Sequence, residues 1–225
     1  MIIVSGASKG LGKAIVERLT NNGQEVFGIA RDVSKISIDC MSCDVSSYEQ
    51  VKAVAQEIKK RKIVVDAVIN AAGVASMNLA VTTPSKVTQN IIQTNLVGTI
   101  YCSQLFAPLM LRNKKGIIIN FSTIAVALGL KGESIYTASK AGVEGFSRAF
   151  AREMADFNVR VNCIAPGPIN TDLLKGVSEK SIKKIILQQI IQKQFLPSDV
   201  CDLVELLLDK RSLSLSGQVL KVGGA

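Results

Sequence analysis

The sequence contains no histidine among its 225 residues. A histidine general base, a Ser-His-Asp triad and a histidine-ligated zinc ion are therefore all excluded. Aromatic residues make up only 4% of the chain, and the lysines and arginines are dispersed along it, although the net charge is +9. A nucleic-acid-binding module usually concentrates its basic and aromatic residues. We therefore interpret the excess charge as solubilising and expect no nucleic-acid partner.

Long apolar runs are also missing. None reaches the roughly 18 residues of a membrane helix, and the opening MIIVSGAS is unlike a signal peptide because glycine follows so short an apolar run. The five cysteines, an odd number, indicate free thiols rather than a disulfide framework. Cys40 and Cys43 form one C-x-x-C without a second pair, so we expect neither a metal nor a redox role. These features predict a soluble, cytoplasmic protein without a membrane partner.

Short β-branched runs alternate with helical patterns along the chain. Strands separated by helices form right-handed crossovers, so the pattern predicts an α/β fold with a single Rossmann-type domain. We expect a doubly wound parallel sheet of about seven strands with helices on both faces. The predicted strands are 2–5, 25–30, 36–43, 63–70, 116–122, 158–165 and 218–222, and the predicted helices are 11–22, 47–60, 84–112, 134–156, 171–194 and 198–209.

The stretch SGASKGLG follows the first predicted strand and opens the first predicted helix. Glycines at such a turn let the main chain approach a pyrophosphate, whose charge then meets the helix N-terminus. The spacing of Gly6, Gly10 and Gly12 is G-x-x-x-G-x-G, which differs from the common G-x-G-x-x-G fingerprint. The turn is therefore either a dinucleotide site or a purely structural feature.

Tyr136 and Lys140 stand four residues apart in the predicted helix 134–156, and residues at this spacing share a helix face. A free tyrosine, with a pKa of about 10, is a poor base near neutrality, and a nearby ammonium favours its phenolate. Either Lys140 lowers the pKa of Tyr136 for proton transfer, or the two are polar residues on a surface helix.

Five motifs carry a family resemblance: SGASKGLG, INAAG, TNLVG, YTASK and PGPINT, in that order. Together they resemble the short-chain dehydrogenase/reductase family, especially members similar to β-ketoacyl-acyl-carrier-protein reductase, over essentially the whole chain. The resemblance implies an NAD(P)-dependent oxidoreductase that reduces a ketone, such as a 3-oxoacyl thioester, and that forms a homo-oligomer, a dimer or tetramer. It divides the single domain 1–225 into a mainly dinucleotide-binding part, 1–112, and a part, 113–225, with the catalytic helix, a substrate lid at about 170–195 and a closing strand.

The resemblance assigns catalytic roles residue by residue. Tyr136 would donate the proton, and Lys140 would tune it while binding the nicotinamide ribose. Asn95 of TNLVG matches an asparagine that completes a proton relay through water. The family's substrate-orienting serine stands thirteen positions before the tyrosine, which here is Thr123. A threonine keeps the hydroxyl, but its methyl group crowds the pocket; Thr123 is the expected residue and Ser122 the alternative.

The resemblance also implies a set of cofactor-binding residues. Asp44 matches an adenine contact, Ile169 and Thr171 match positions that hold the carboxamide and the phosphates, and Asn70 either contacts the cofactor or makes a loop-end hydrogen bond. The expected set is Gly6, Ser8, Lys9, Gly10, Leu11, Gly12, Arg31, Asp44, Val45, Asn70, Ala71, Gly73, Tyr136, Lys140, Pro166, Gly167, Ile169 and Thr171.

The residues after the second predicted strand favour NADP(H) over NAD(H). NAD-preferring relatives end this strand in an acidic residue that accepts from the ribose 2′-OH, whereas Ala30 and Arg31 stand there in this chain. Arg31 and Lys9 are cations that suit a 2′-phosphate. Asp32 complicates the prediction, because it either pairs with Arg31 or reaches the ribose itself.

The predicted lid leaves the substrate class open. It is rich in lysine, with Lys175, Lys180, Lys183 and Lys184. These residues suit an acidic carrier protein or a phosphorylated or nucleotide-linked substrate, or they form the solvated face of a helix. A carrier-bound or small-molecule carbonyl compound is therefore the expected partner. The alternatives are a reductase of a sugar, polyol or other specialised metabolite, and a weakly catalytic NADP-binding sensor or scaffold.

Overall fold

A computed structural model of the chain describes residues 1–111, 113–171 and 177–225. Within these ranges seven strands form one parallel sheet in the order β3-β2-β1-β4-β5-β6-β7. The predicted doubly wound sheet is therefore confirmed. The strands are β1 (Ile2–Ser5), β2 (Val26–Ala30), β3 (Cys40–Ser42), β4 (Ala67–Asn70), β5 (Gly116–Phe121), β6 (Val159–Pro166) and β7 (Val219–Val222).

Helices follow most strands and return the chain to the start of the next strand, as parallel pairing requires. Among the described residues, none of these helices is both long and apolar enough to cross a membrane. The α-helices are α1 (Gly10–Asn21), α2 (Tyr48–Lys60), α3 (Ser85–Ile92), α4 (Gly98–Leu111), α5 (Ala125–Leu128), α6 (Ser134–Met154), α7 (Glu179–Ile186) and α8 (Pro197–Leu208).

Two apolar layers lie between the sheet and its helices. Side chains alternate in direction along a strand, so Ile3 of β1 enters one layer, whereas Ile2 and Val4 enter the other. Helices α2, α4 and α6 cover the layer that contains Ile3, and α1 and α8 cover the opposite layer. Burial on both faces explains why the strands are continuously apolar.

Two strands are shorter than predicted. The strand expected over 36–43 is limited to β3, because the chain first turns, with the N–H of Ile36 donating to the carbonyl of Val33, and pairs with β2 only from Cys40. The strand expected from Ile63 begins at Ala67, where pairing with β1 and β5 starts. From these loops Ile36 and Ile38 in the first segment, and Ile63 and Val65 in the second, pack against the core.

The helical segments also differ from the prediction in places. The helix expected over 84–112 divides into α3, a π-helical turn at Gln93–Val97, and α4, and Arg112 lies outside the described residues. The segment expected to be helical over 171–194 is helical in α7, while 172–176 lie outside the described residues. After α7 the main chain bonds the C-terminal tail, since the N–H of Ile191 donates to the carbonyl of Gly223 at 2.9 Å. The four-residue helix α5 was not predicted.

Candidate active site and dinucleotide pocket

A cavity of about 620 Å³ opens at the carboxyl ends of strands β1 to β6. It spans the point between β1 and β4 where the strand order reverses, which is where doubly wound sheets bind their ligands. Its volume is typical of a small-molecule site. Most residues predicted to bind the cofactor line this cavity; Gly12 and Asn70 are the exceptions.

The glycine loop after β1 is packed too closely for side chains at two positions. Gly6 has a φ of +71°, and a Cβ there would stand 2.9 Å from the main chain of Ala72. A Cβ on Gly12 would collide with the carbonyl oxygen of Gly6, so Gly12 acts through packing behind the cavity. Gly10 and Leu11 line the cavity and begin α1, whose first N–H groups have no partner within the helix. This cradle fits the pyrophosphate of a dinucleotide.

Asn70 lies behind the cavity wall and makes hydrogen bonds within the fold. Its buried amide donates to Ser103 at 3.1 Å and to Asn120 at 2.8 Å. Asn120 in turn donates to Ser147 of α6 at 2.8 Å. The buried polar chain therefore joins β4 to α4, β5 and α6. Asn70 therefore makes the hydrogen bonds of one of the two roles considered for it, and it does not line the cavity.

Cations gather where the cavity meets the end of β2. The cavity is lined there by Lys9, Arg31 and Lys35. Lys35 stands four positions after Arg31 and was not among the predicted residues. Asp32 shares this end, but its carboxylate accepts from the N–H of Ser34 at 2.9 Å and from its hydroxyl at 2.7 Å. These two bonds lower the pKa of Asp32. The carboxylate is therefore engaged with Ser34 rather than with Arg31.

Tyr136 is buried in the first turn of α6 and lines the cavity. Burial raises the pKa of its phenol above the ordinary value, the carboxylate of Glu133 raises it further, and a hydrogen bond with Thr123 opposes the rise. The net shift of this pKa is therefore upward, whereas a net lowering by Lys140 was expected from the sequence. Desolvation of the phenolate is the larger effect.

Lys140 lines the same wall of the cavity one helical turn later, with 5% of its surface exposed. Its ammonium donates to the carbonyl oxygen of Phe121 at 2.8 Å. Burial lowers the pKa of Lys140 to about 8, because the ammonium loses its hydration. The group thus titrates close to neutral pH.

Ser122 and Thr123 both line the cavity, but their hydroxyls have different partners. The hydroxyl of Ser122 donates to the carboxylate of Glu144 at 2.7 Å and lies 3.4 Å from the carbonyl of Lys140. The hydroxyl of Thr123 accepts from the N–H of Ala125 at 3.2 Å and is one of the groups that shift the pKa of Tyr136. The hydroxyl of Ser122 is therefore engaged with a carboxylate, whereas that of Thr123 is not.

Asn95 is fully buried in the π-helical turn and lies outside the cavity lining. Its side chain accepts from the N–H of Val74 at 2.8 Å and donates to the Val74 carbonyl at 2.9 Å and to Ser139 at 3.1 Å. Ser139, which the sequence analysis missed, donates to the carbonyl of Tyr136 at 2.6 Å. Asn95 thus joins the loop after β4 to the helix of Tyr136, and π-helical turns are frequent at functional sites.

Gly73 provides the space that Asn95 and Lys140 share. A Cβ there would lie 3.4 Å from the amide oxygen of Asn95 and 3.6 Å from the ammonium of Lys140. The two polar groups therefore face the same small volume beside the main chain.

The lysines of the predicted lid point to solvent where they are described. Lys180, Lys183 and Lys184 are exposed on α7, whose buried face carries Ile185, and Lys175 lies outside the described residues.

Burial raises the pKa of Cys43 to about 11, which makes it an inert thiol. In the described part of the chain, no group of three or more His, Cys, Asp or Glu side chains has the arrangement of a metal site.

Comparisons with known proteins found similar proteins over nearly the whole chain. The short chain dehydrogenase family model matches residues 1–182. The 3-oxoacyl-[acyl-carrier-protein] reductase FabG of Staphylococcus epidermidis is 31% identical over 236 residues, covering 99% of this chain and 96% of that protein. Carbonyl reductase family member 4 of Xenopus tropicalis is 35% identical over 229 residues, with coverage of 98% and 95%. The aldohexose dehydrogenase of Thermoplasma acidophilum superimposes with a TM-score of 0.89 at 30% identity, covering 99% of this chain and 92% of that one.

The chain belongs to the short-chain dehydrogenase family. It is therefore an NAD(P)-dependent oxidoreductase. Its relatives include 3-oxoacyl-[acyl-carrier-protein] reductases and carbonyl reductases, to which it is similar.

Proposed function

We propose that this protein is an NADP(H)-dependent reductase that converts a ketone, a 3-oxoacyl thioester or a related carbonyl compound, into an alcohol. The observation that carries the proposal is that Tyr136, Thr123 and Lys140 line the same cavity at the carboxyl ends of the strands. Relatives named as 3-oxoacyl and carbonyl reductases support this substrate class.

Four side chains divide the work in the proposed mechanism. The nicotinamide cofactor supplies the hydride when bound. Thr123 orients the carbonyl oxygen of the substrate, and Tyr136, kept protonated by its raised pKa, donates the proton to the developing alkoxide. Lys140 binds the nicotinamide ribose and stabilises the phenolate that results. Asn95, by resemblance, links Lys140 to solvent through water.

The preference for NADP(H) is proposed from charge. Lys9, Arg31 and Lys35 line one end of the cavity, while the carboxylate of Asp32 is engaged with Ser34. Charge-assisted hydrogen bonds from such cations suit the 2′-phosphate that distinguishes the two cofactors.

A sugar is the second candidate substrate. The similarity to an aldohexose dehydrogenase over 99% of this chain favours it, and the same tyrosine, threonine and lysine would serve that reaction. A weakly catalytic sensor is a third candidate function, for which the threonine in place of serine is the main support.

We further propose a cytoplasmic location, which the free thiols of all five cysteines support, and an oligomeric state by resemblance.

A spectrophotometric screen tests the proposal. NADPH oxidation would be measured with acetoacetyl thioesters, simple ketones and ketoses, and NADP⁺ reduction with aldohexoses and polyols, alongside the matched Tyr136→Phe variant. Turnover that is fastest with the thioesters and absent in the variant is expected. Fastest turnover with aldohexoses would replace the substrate class, and silence across the panel with tight NADPH binding would favour the sensor.

A further inference from the structure

The carboxyl end of β5 is joined to α6 by two hydrogen bonds that run in opposite directions. The ammonium of Lys140 donates to the carbonyl of Phe121 at 2.8 Å, and the hydroxyl of Ser122 donates to the carboxylate of Glu144 at 2.7 Å. Phe121 and Ser122 are adjacent on the strand, and Lys140 and Glu144 are one helical turn apart. We call this pair of bonds the β5–α6 clasp.

Glu144 is well placed to hold Ser122 firmly. Only 13% of its side chain is exposed, and Ser122 is buried. Its second oxygen lies 3.7 Å from the guanidinium of Arg148, whose side chain is 56% exposed. An exposed ion pair of that length contributes little, whereas a short hydrogen bond to a shielded carboxylate is among the stronger ones. Ser122 is therefore the main partner of Glu144.

We propose that Glu144 is a positioning residue of the active site, holding Ser122 and with it the carboxyl end of β5 against Lys140 and Tyr136. The inference rests on the proposed function. It assigns Ser122 a role other than the substrate-orienting one, because its single hydroxyl proton is directed at Glu144.

By holding Ser122, Glu144 also fixes the positions of the two residues next to Ser122 in the chain. The N–H of Ser122 donates to the carbonyl of Ile164 at 2.8 Å, so both its main chain and its side chain are tied. The residue before it provides the carbonyl that holds Lys140, and the residue after it, Thr123, lines the cavity together with Tyr136. A small shift at Ser122 would therefore move the ammonium of Lys140 and the hydroxyl of Thr123 relative to the phenol of Tyr136. Small misplacement of groups at the reacting centre lowers turnover rather than cofactor binding.

A double-mutant cycle on the full-length protein tests the inference. Ser122→Ala and Glu144→Leu should each lower kcat about 10-fold with the KM for NADPH unchanged, since each loses one charge-assisted hydrogen bond. The double variant should also lose about 10-fold rather than about 100-fold, because both changes remove the same bond. Glu144→Gln keeps an acceptor oxygen and should retain kcat within about 2-fold. Arg148→Ala, which breaks only the exposed ion pair, is the matched control and should match wild type.

Three outcomes would overturn the inference while wild-type turnover remains normal. They are full kcat in Glu144→Leu, a multiplicative loss in the double variant, and a loss in Glu144→Gln as large as in Glu144→Leu. A multiplicative loss would mean that Ser122 contacts the substrate independently of Glu144. Absence of turnover in the wild type itself would instead overturn the proposed function, so the two failures are distinguishable.

Discussion

The ammonium of Lys140 donates a 2.8 Å hydrogen bond to the main-chain carbonyl of Phe121, the last residue of β5. Burial lowers the pKa of this ammonium, and the nearby Cys163 opposes the fall. A buried ammonium bonded to a neutral carbonyl is held in its charged form less strongly than one in water. The pKa of about 8 follows from this placement and makes the stability of the protein depend on pH.

Lys140 should contribute an increase of the unfolding free energy with pH in the window set by its pKa. The raised pKa values of Cys43, Cys102, Cys163 and Cys201 contribute a decrease in the same window. The folded-state pKa of Lys140, about 8, lies below the ordinary value of 10.5, so in the unfolded chain this residue binds more protons between these pH values. From about pH 7.5 to 9.5 the gain should be about 2 kcal/mol. Lys140→Met should remove this contribution, so that the slope of the unfolding free energy against pH in urea-unfolding measurements is more negative than in the wild type. Equal pH slopes in the two proteins would contradict the assignment, and the raised pKa of Tyr136 has no effect below about pH 10.

Replacement of Tyr136 by phenylalanine should remove the proposed proton donor. We expect kcat to fall by about 10³-fold or more, since general acid catalysis contributes about 10²- to 10⁴-fold, while NADPH binding changes little. Tyr101→Phe is the matched control, because Tyr101 lies on α4 in edge contact with Tyr48 and outside the cavity lining. Steady-state kinetics and fluorescence titration measure both effects. Retention of more than about a tenth of wild-type kcat in Tyr136→Phe would exclude it as the donor.

Thr123 should be more sensitive to substitution than Ser122. Loss of a hydroxyl that holds the reacting oxygen typically lowers kcat by about 10²- to 10³-fold, so Thr123→Ala should lose this much. Thr123→Ser keeps the hydroxyl without the methyl group and should equal or exceed wild type. The comparison is made by steady-state kinetics at saturating NADPH. A smaller loss in Thr123→Ala than in Ser122→Ala would reverse the assignment of the two residues.

The basic end of the cavity should determine the cofactor preference. A combined Lys9→Ala, Arg31→Ala and Lys35→Ala variant should bind NADPH about 10²-fold more weakly or worse, since each charge-assisted bond contributes about 1.5–3 kcal/mol. NADH binding should be nearly unchanged. Lys13→Ala is a suitable control, because Lys13 is an exposed residue of α1 that pairs with Glu17. An unchanged ratio of the two dissociation constants, measured by calorimetry, would mean that these cations do not read the 2′-phosphate.

Two helical glycines should respond in opposite ways to alanine. Gly12→Ala places a methyl group against the carbonyl oxygen of Gly6, which cannot move without distorting the loop. A loss of about 1–3 kcal/mol in unfolding free energy is expected, together with weaker dinucleotide binding. Gly145 of α6 has open space around its Cβ position, so Gly145→Ala should be neutral or stabilising by up to about 1 kcal/mol. Chemical unfolding compares the two, and equal effects would argue against the tight packing of the glycine loop.

The elements with strong local patterns were predicted well. Helix 134–156 appears as α6 with a short 3₁₀ turn after it, and the buried strands β1, β5 and β6 lie within a residue or two of their predicted bounds. The segment 36–43 was predicted less well, because Ile36 and Ile38 are apolar without being paired. An apolar run indicates that its side chains are buried, and side chains of a loop can be buried as readily as those of a strand.

The sequence by itself determined the family, the glycine loop and the Tyr136/Lys140 spacing, because each motif behind them is formed by residues close together in the chain. Only the tertiary structure decided which polar groups meet. The bond from Ser122 to Glu144 joins residues 22 positions apart, and the bond from Asn95 to Ser139 joins residues 44 apart. The direction of the Tyr136 pKa was likewise decided by burial, which depends on the packing of whole elements and not on the spacing of two residues along a helix.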